Sequence, residues 1–193
     1  MSGKSNSIKG FTLVELLLAM AFFSFILLFI TTGFIIVNRA YTKGLTTKLV
    51  QDEGRHLMEQ LTREIRVADL IETTTNCVAI DGTAYSWNLN ADSSNPTHSP
   101  KILIRQENTS CSGALTDVNL ITDPGVERIL NERVAIQDMK VTQLSGEFYK
   151  IYMKLSTTET DIIDGSGAGA TCSVTTGDQY CDIVEMTTVV SMR

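Results

Sequence analysis

The stretch Phe11–Val37, FTLVELLLAMAFFSFILLFITTGFIIV, decides how the rest of the chain is read. It is almost wholly apolar, interrupted mainly by Glu15, Ser24 and Thr31-Thr32-Gly33. A helix rises about 1.5 Å per residue, which makes this one roughly 40 Å long. A bilayer core is about 30 Å thick, so the stretch predicts a membrane-spanning helix with length to spare. Secretory h-regions run about 7–15 residues and end at a small-residue cleavage site. This run is longer and no A-x-A pattern follows it, so the segment is expected to stay in the mature protein. Upstream, residues 1–10 are polar and basic, with Lys4 and Lys9 and no acid. Those lysines favour a cytoplasmic N-terminus. Arg39, Lys43 and Lys48, just past the other end, pull the opposite way, and the charge rule alone leaves orientation open.

Glu15 is the anomaly inside the apolar run. A carboxylate within a spanning helix costs about 2.5–3.5 kcal/mol on insertion scales, and such groups usually have a partner. Glu15 follows Phe11 by one helical turn, so the two share a face. Cleavage before Phe11 would create an α-ammonium at the helix start. The ammonium of a neighbouring subunit would then neutralise Glu15 within a bundle of such helices. A carboxylate in the first turns also suits the helix dipole. The plainer reading is a Glu tolerated near the membrane interface.

The segment Gly10-Phe11-Thr12-Leu13-Val14-Glu15-Leu16-Leu17 resembles the cleavage and methylation motif of type IV prepilins and pseudopilins. The resemblance implies a membrane peptidase that cuts between Gly10 and Phe11 and methylates the new Phe11 amine. It also implies that Glu15 guides docking of each subunit onto a growing filament, and that residues 1–10 are a leader peptide. The implied partners are a prepilin peptidase, other pilin or pseudopilin subunits and an assembly platform protein. Many major pilins carry a proline within this helix. This chain has none before Pro96, which favours a minor pilin or pseudopilin over a major pilin. The stretch Leu57 to Ala68, with Arg63 and Arg66, looks like the larger minor pilins and J-type pseudopilins.

Beyond the apolar run, Leu45, Leu49, Leu57, Leu61, Ile65 and Ala68 recur at spacings of three, four or eight, with Arg55, Glu59, Arg63, Glu64 and Arg66 on the other side. This predicts an amphipathic helix to about Asp69, which Gly54 weakens without ending. The charges read as a solvated face. After Asp69 the pattern shortens to strand-like runs: Val78–Ile80, Ala84–Leu89, Lys101–Gln106, Val118–Thr122, Val134–Leu144, Phe148–Ser156 and Ile183–Met192. Turn-rich stretches separate them, Leu144-Ser145-Gly146-Glu147 reads as a hairpin, and Val126–Arg133 reads as a short helix or another strand. The expected fold class is α+β and pilin-like: a long N-terminal helix, transmembrane in its first half, packed on an antiparallel sheet. The expected segments are a leader at 1–10, a membrane or filament-core helix at 11–37, its amphipathic continuation at 38–70 and an extracytoplasmic β-rich domain at 71–193. About 120 residues of sheet domain bury a real core only if the helix covers one face.

The 193 residues suit one domain with an appendage. Net charge is −6, and without a clustered basic stripe the chain does not suit nucleic acid as a direct partner. Four cysteines, Cys77, Cys111, Cys172 and Cys181, form no C-x-x-C pair, and the only histidines are His56 and His98, so no zinc site or other metal site is expected. An even count behind a membrane segment favours disulfides in an oxidising compartment. Three pairings are open. The turn-like segment between Cys172 and Cys181 favours that bridge and leaves Cys77 with Cys111, with free buried thiols as the alternative.

Asp164-Gly165-Ser166-Gly167-Ala168-Gly169 lacks the following helix and Lys of a phosphate-binding loop and reads as a flexible loop. Asp161 and Asp164 lack EF-hand spacing, and Asn108-Thr109-Ser110 matches a glycosylation sequon. His56 and His98 read as surface residues without local support for Ser-His-Asp catalysis. Tyr85 and Trp87 read as core or sheet face. The expectation is therefore a non-enzymatic filament subunit without a cofactor, anchored once in the inner membrane with its C-terminal part outside the cytoplasm. The rivals are a major pilin, a membrane-anchored extracytoplasmic binding module and a secreted hydrolase.

Overall fold

The structure, a computed structural model, describes residues 11–90, 101–112, 125–158, 163–165, 167–173 and 180–193. The expected strand Val118–Thr122 lies outside them, as do His98, Asp161 and the leader. The chain divides into two compact units, Met1–Tyr41 and Thr42–Arg193.

One helix of 55 residues, α1 (Leu13–Val67), runs through the first unit into the second. Between Phe11 and Ala40 every side chain is exposed, and the helix is long and apolar enough to cross a membrane. Its few hydroxyls are satisfied within the helix. Ser24 Oγ donates to the Met20 carbonyl at 2.8 Å, Thr31 Oγ1 to that of Leu27 at 2.9 Å and Thr32 Oγ1 to that of Leu28 at 2.8 Å. Such back-bonding removes the need for water as a partner, as an apolar solvent requires.

In the second unit the same helix becomes one-sided. Val50, Gly54, Leu57, Leu61 and Ile65 are buried, and Ala68 continues the stripe just past the helix end. The spacing of three and four keeps them on one face. The sequence pattern began that face at Leu45 and Leu49, but Leu45 is 52% exposed and Leu49 only partly buried. At 100° per residue Leu45 sits roughly 140° around the helix from Val50, so the buried face starts at Val50. At Gly54 the helix approaches the sheet closely. An added Cβ there would lie 2.8 Å from Met186 Cε and 2.9 Å from Leu155 Cδ1.

Ten strands follow. β1 (Ile71–Thr73), β2 (Cys77–Ile80), β3 (Thr83–Asn90), β4 (Lys101–Gln106) and β5 (Val126–Arg128) form a five-stranded antiparallel sheet in chain order. β6 (Val134–Ser145), β7 (Phe148–Thr157) and β10 (Ile183–Ser191) form a three-stranded antiparallel sheet ordered β10-β7-β6. β8 (Ile163–Asp164) and β9 (Thr171–Cys172) make a small separate hairpin. β6 lies beside β3 and β4, joining the two larger sheets.

The turns follow local chemistry. Asp81 and Gly82, at φ 47° and 80°, close β2–β3, the positive-φ geometry that Asp-Gly suits. The Asp81 carboxylate also accepts the backbone N–H groups of Asp69 and Leu70, each at about 3 Å (3.0 and 2.9 Å), tying the helix exit to this turn. Gly146 at φ 53° closes β6–β7, where the sequence predicts a hairpin.

Helix and both large sheets share one core. Leu57, Leu61 and Ile65 meet Val78, Tyr85, Trp87 and Leu103 from one sheet and Val134, Ile136, Met139, Ile151, Met153 and Leu155 from the other. Several expectations shift in detail. The helix ends at Val67 rather than Asp69. Val126–Arg133 gives a three-residue strand and then the buried side chain of Leu130, with no helix. β1, β8 and β9, of three and two residues, are too short for an alternation pattern to reveal.

Candidate functional site at the start of the helix

The residues that distinguish this chain chemically cluster where α1 begins. Gly10 lies outside the described residues. Phe11 precedes the helix and is 85% exposed. Thr12 is the N-cap: its carbonyl accepts the first helical bond from the Leu16 N–H at 3.2 Å. Its hydroxyl oxygen accepts the Glu15 N–H at 3.3 Å, while Glu15 Oε2 accepts the Thr12 N–H at 3.1 Å and the Thr12 hydroxyl at 3.0 Å. Each residue thereby satisfies the other's orphan N–H, the reciprocal arrangement of a capping box. The sequence carried this signal, since Thr12-Leu13-Val14-Glu15 has the T-x-x-E spacing directly before an apolar run, but the reading of Glu15 as a carboxylate awaiting a partner passed over it.

The arrangement gives Glu15 two things it can do. Its charge sits in the first turn, where the helix dipole favours an anion. It also lies one turn from Phe11, the residue whose amine becomes a cation if the chain is cut there. The two uses are compatible, because a carboxylate has about four lone-pair positions.

In the second unit the polar groups act on the fold. Glu64, which the sequence placed on the solvated face, is half-buried and accepts a hydrogen bond from the Tyr85 hydroxyl, and Gln60 Nε2 donates to both Glu64 Oε1 and the Tyr85 oxygen. The Tyr85 ring is fully buried, as its place in a strand suggests. Burial, followed by the Glu64 hydrogen bond and charge, pushes its hydroxyl pKa well above the usual tyrosine range. Lys154 in β7 is 4% exposed. Its Nζ donates to the Ala168 carbonyl at 2.8 Å and pairs with Glu185 at 2.9 Å, so a buried cation is capped by the glycine-rich segment that reads from sequence as a flexible loop. There Gly167–Gly169 form a 3-10 turn rather than a phosphate cradle.

Two disulfides staple the domain. Cys77–Cys111 joins β2 to the chain after β4, and Cys172–Cys181 joins β9 to the residue pair before β10. Bridges of this kind restrict the unfolded chain and persist in oxidising compartments. His56 is exposed on α1. The groove beside His56 is lined by Glu59, Gln60, Arg63 and Glu64.

Comparison of the chain with protein-family models, with curated proteins and with solved structures gives no match.

Proposed function

We propose that the chain is a subunit of a type IV pilus-like filament, of the minor pilin or pseudopilin kind. In this reading a prepilin peptidase cuts between Gly10 and Phe11 and methylates Phe11. The protein then waits in the inner membrane on its apolar helix half, with the folded domain outside the cytoplasm. An assembly platform protein and further subunits draw the helix from lipid into a bundle, so its apolar surface exchanges one dry environment for another. Glu15 pairs with the Phe11 ammonium of a neighbour and sets axial register. The observation that carries the reading is the single helix α1, apolar on all sides with one acid in its first turn, and then one-sided where it enters an antiparallel core.

The decisive measurement is the mass of the mature N-terminal peptide, from cells with and without their prepilin peptidase. A peptide beginning at Phe11, heavier by one methyl group and absent without the enzyme, supports the reading. A chain starting at Met1 or Ser2 in both strains overturns it.

The capping box favours a second reading, a membrane-anchored binding module in which Glu15 serves only its own helix. Glu15→Gln separates the two. Gln retains capping ability at this position but carries no charge for an ammonium. Loss of filament incorporation in Glu15→Gln, with insertion unchanged, supports docking. Full incorporation of the variant would keep the filament reading and remove the docking role of Glu15, and absence of the wild-type chain from any filament would leave the anchored module.

A further inference from the structure

We infer that the outer edge of β10 is a docking site for an extended segment of another protein, which adds to the β10-β7-β6 sheet as a fourth strand. This inference does not depend on the N-terminal cleavage.

Among the described residues, β7 is the only strand paired with β10. The backbone bonds made near it come from beyond its ends, Thr157 to Asp182 and Met192 to Glu147. A strand edge presents a row of N–H and C=O groups, and natural proteins guard such edges by keeping them short or by placing Lys or Pro on them. The five-stranded sheet follows that rule, since its edge strands β1 and β5 have three residues each. The other side of the three-stranded sheet, β6, lies beside β3 and β4. β10 is different. It has nine residues, Ile183-Val184-Glu185-Met186-Thr187-Thr188-Val189-Val190-Ser191, rich in β-branched side chains and free of Lys and Pro. Its only charge, Glu185, stays exposed but is paired with the Lys154 ammonium of the neighbouring strand β7, and it leaves the stretch Met186–Ser191 without a charge.

The neighbourhood defines the occupant further. Thr188 faces a groove bordered by Met58, Thr62 and Val67 of α1, and Val67 is 71% exposed. A strand laid along β10 would turn alternate side chains toward this groove. On the groove-facing side of such a strand, apolar residues would cover Met58 and Val67, and a single acidic residue would meet Arg63 and Arg66, which outnumber Glu59 in the groove's lining. The fitting partner is an extended segment whose groove-facing positions are apolar with one acidic residue among them. A second copy of β10 fits poorly. Two-fold antiparallel pairing of β10 with itself would send the two copies of residues 42–67 in opposite directions, which two chains anchored in one membrane through the preceding residues cannot adopt.

The test uses the full chain in detergent and a labelled nine-residue peptide of alternating threonine and valine in which one valine is replaced by glutamate. A second peptide has the same side chains, with alternate backbone amides N-methylated. Binding is followed by fluorescence anisotropy and located by amide hydrogen exchange. The inference expects saturable binding, exchange protection confined to 183–191 and flanking α1, and at least a tenfold weaker interaction with the methylated peptide. It also expects weakening in Val189→Lys, a substitution at an exposed position. If that variant misfolds, the methylated peptide on the wild-type chain still decides. Equal binding of both peptides would mean side-chain capture without strand addition. Absence of binding, protection elsewhere, or concentration-dependent protection of β10 without peptide would equally overturn the proposal, the last by placing a second copy on the edge.

Discussion

The two halves of α1 share one backbone conformation and have opposite relations to their surroundings. In residues 11–40 apolar side chains point in every direction and none is buried within the chain. In residues 50–65 a single stripe is buried and the opposite face carries Arg55, Glu59 and Arg63. The first half exposes far more contiguous apolar surface than a soluble monomer tolerates. It therefore needs lipid or other helices from outside. The second half carries its partner in the same polypeptide, as two sheets. Helix formation is common to both, but the free energy that holds each helix in place comes from different sources.

Matched substitutions break or sharpen this contrast. Leu61 has no exposed surface, whereas Leu27 is 46% exposed. Leu61→Ala should cost the folded domain about 3 kcal/mol, within the range for buried Leu truncations. Leu27→Ala should leave domain unfolding unchanged within about 0.5 kcal/mol. Denaturant unfolding of both variants in detergent checks this, and equal losses would show that the halves do not differ as described.

The glycines repeat the comparison at smaller scale. Gly54→Leu should destabilise by about 2 kcal/mol, because the added atoms meet Met186 and the buried Leu155. Gly33 has nothing within 4 Å of an added Cβ. Gly33→Leu should cost the domain nothing and raise helicity in the membrane, since Gly is about 1 kcal/mol poorer than good helix formers. Thermal unfolding and circular dichroism of the pair report both effects.

The helix start distinguishes local from external stabilisation. Thr12→Val removes the hydroxyl that caps Glu15 N–H and should destabilise the first turn by about 1 kcal/mol. Amide exchange at Leu13 to Leu16 in membranes should quicken roughly fivefold, while the domain's exchange stays the same. Unchanged exchange would mean that surrounding lipid or helices, not the cap, orders this end.

The smallest effect concerns pH and the second half alone. The Tyr85 hydroxyl has a raised pKa in the folded domain because of burial and Glu64. The folded state therefore binds its proton more tightly than the unfolded state does. That contribution is fully present below the unfolded tyrosine value of about 10 and is lost as pH rises above it. Tyr85→Phe should flatten the alkaline limb of a stability–pH curve, and an unaltered limb would assign the loss to other groups.

The sequence alone determined the pieces whose signals are local. Solid apolarity from Phe11 to Val37 needs no tertiary contact to be read as a helix for an apolar solvent. Short runs such as Lys101–Gln106 and Phe148–Ser156 gave strands correct to within one residue at each end, because apolar and aromatic content and bounding turns are properties of neighbours in the chain. The T-x-x-E signal at Thr12–Glu15 was equally local and legible. What the tertiary structure decided was which face of the helix turned inward, and hence that Val50 and Gly54 rather than Leu45 begin the buried stripe. It decided that Glu64 serves the core through Tyr85 and that Lys154 is buried beneath Ala168. It also decided that, among the described residues, β10 pairs with a strand on one side only. Each of these depends on elements brought together from distant parts of the chain, and burial of a charge becomes favourable only when its partner arrives from elsewhere. Periodicity along the chain specifies a face, whereas only packing in three dimensions specifies what that face meets.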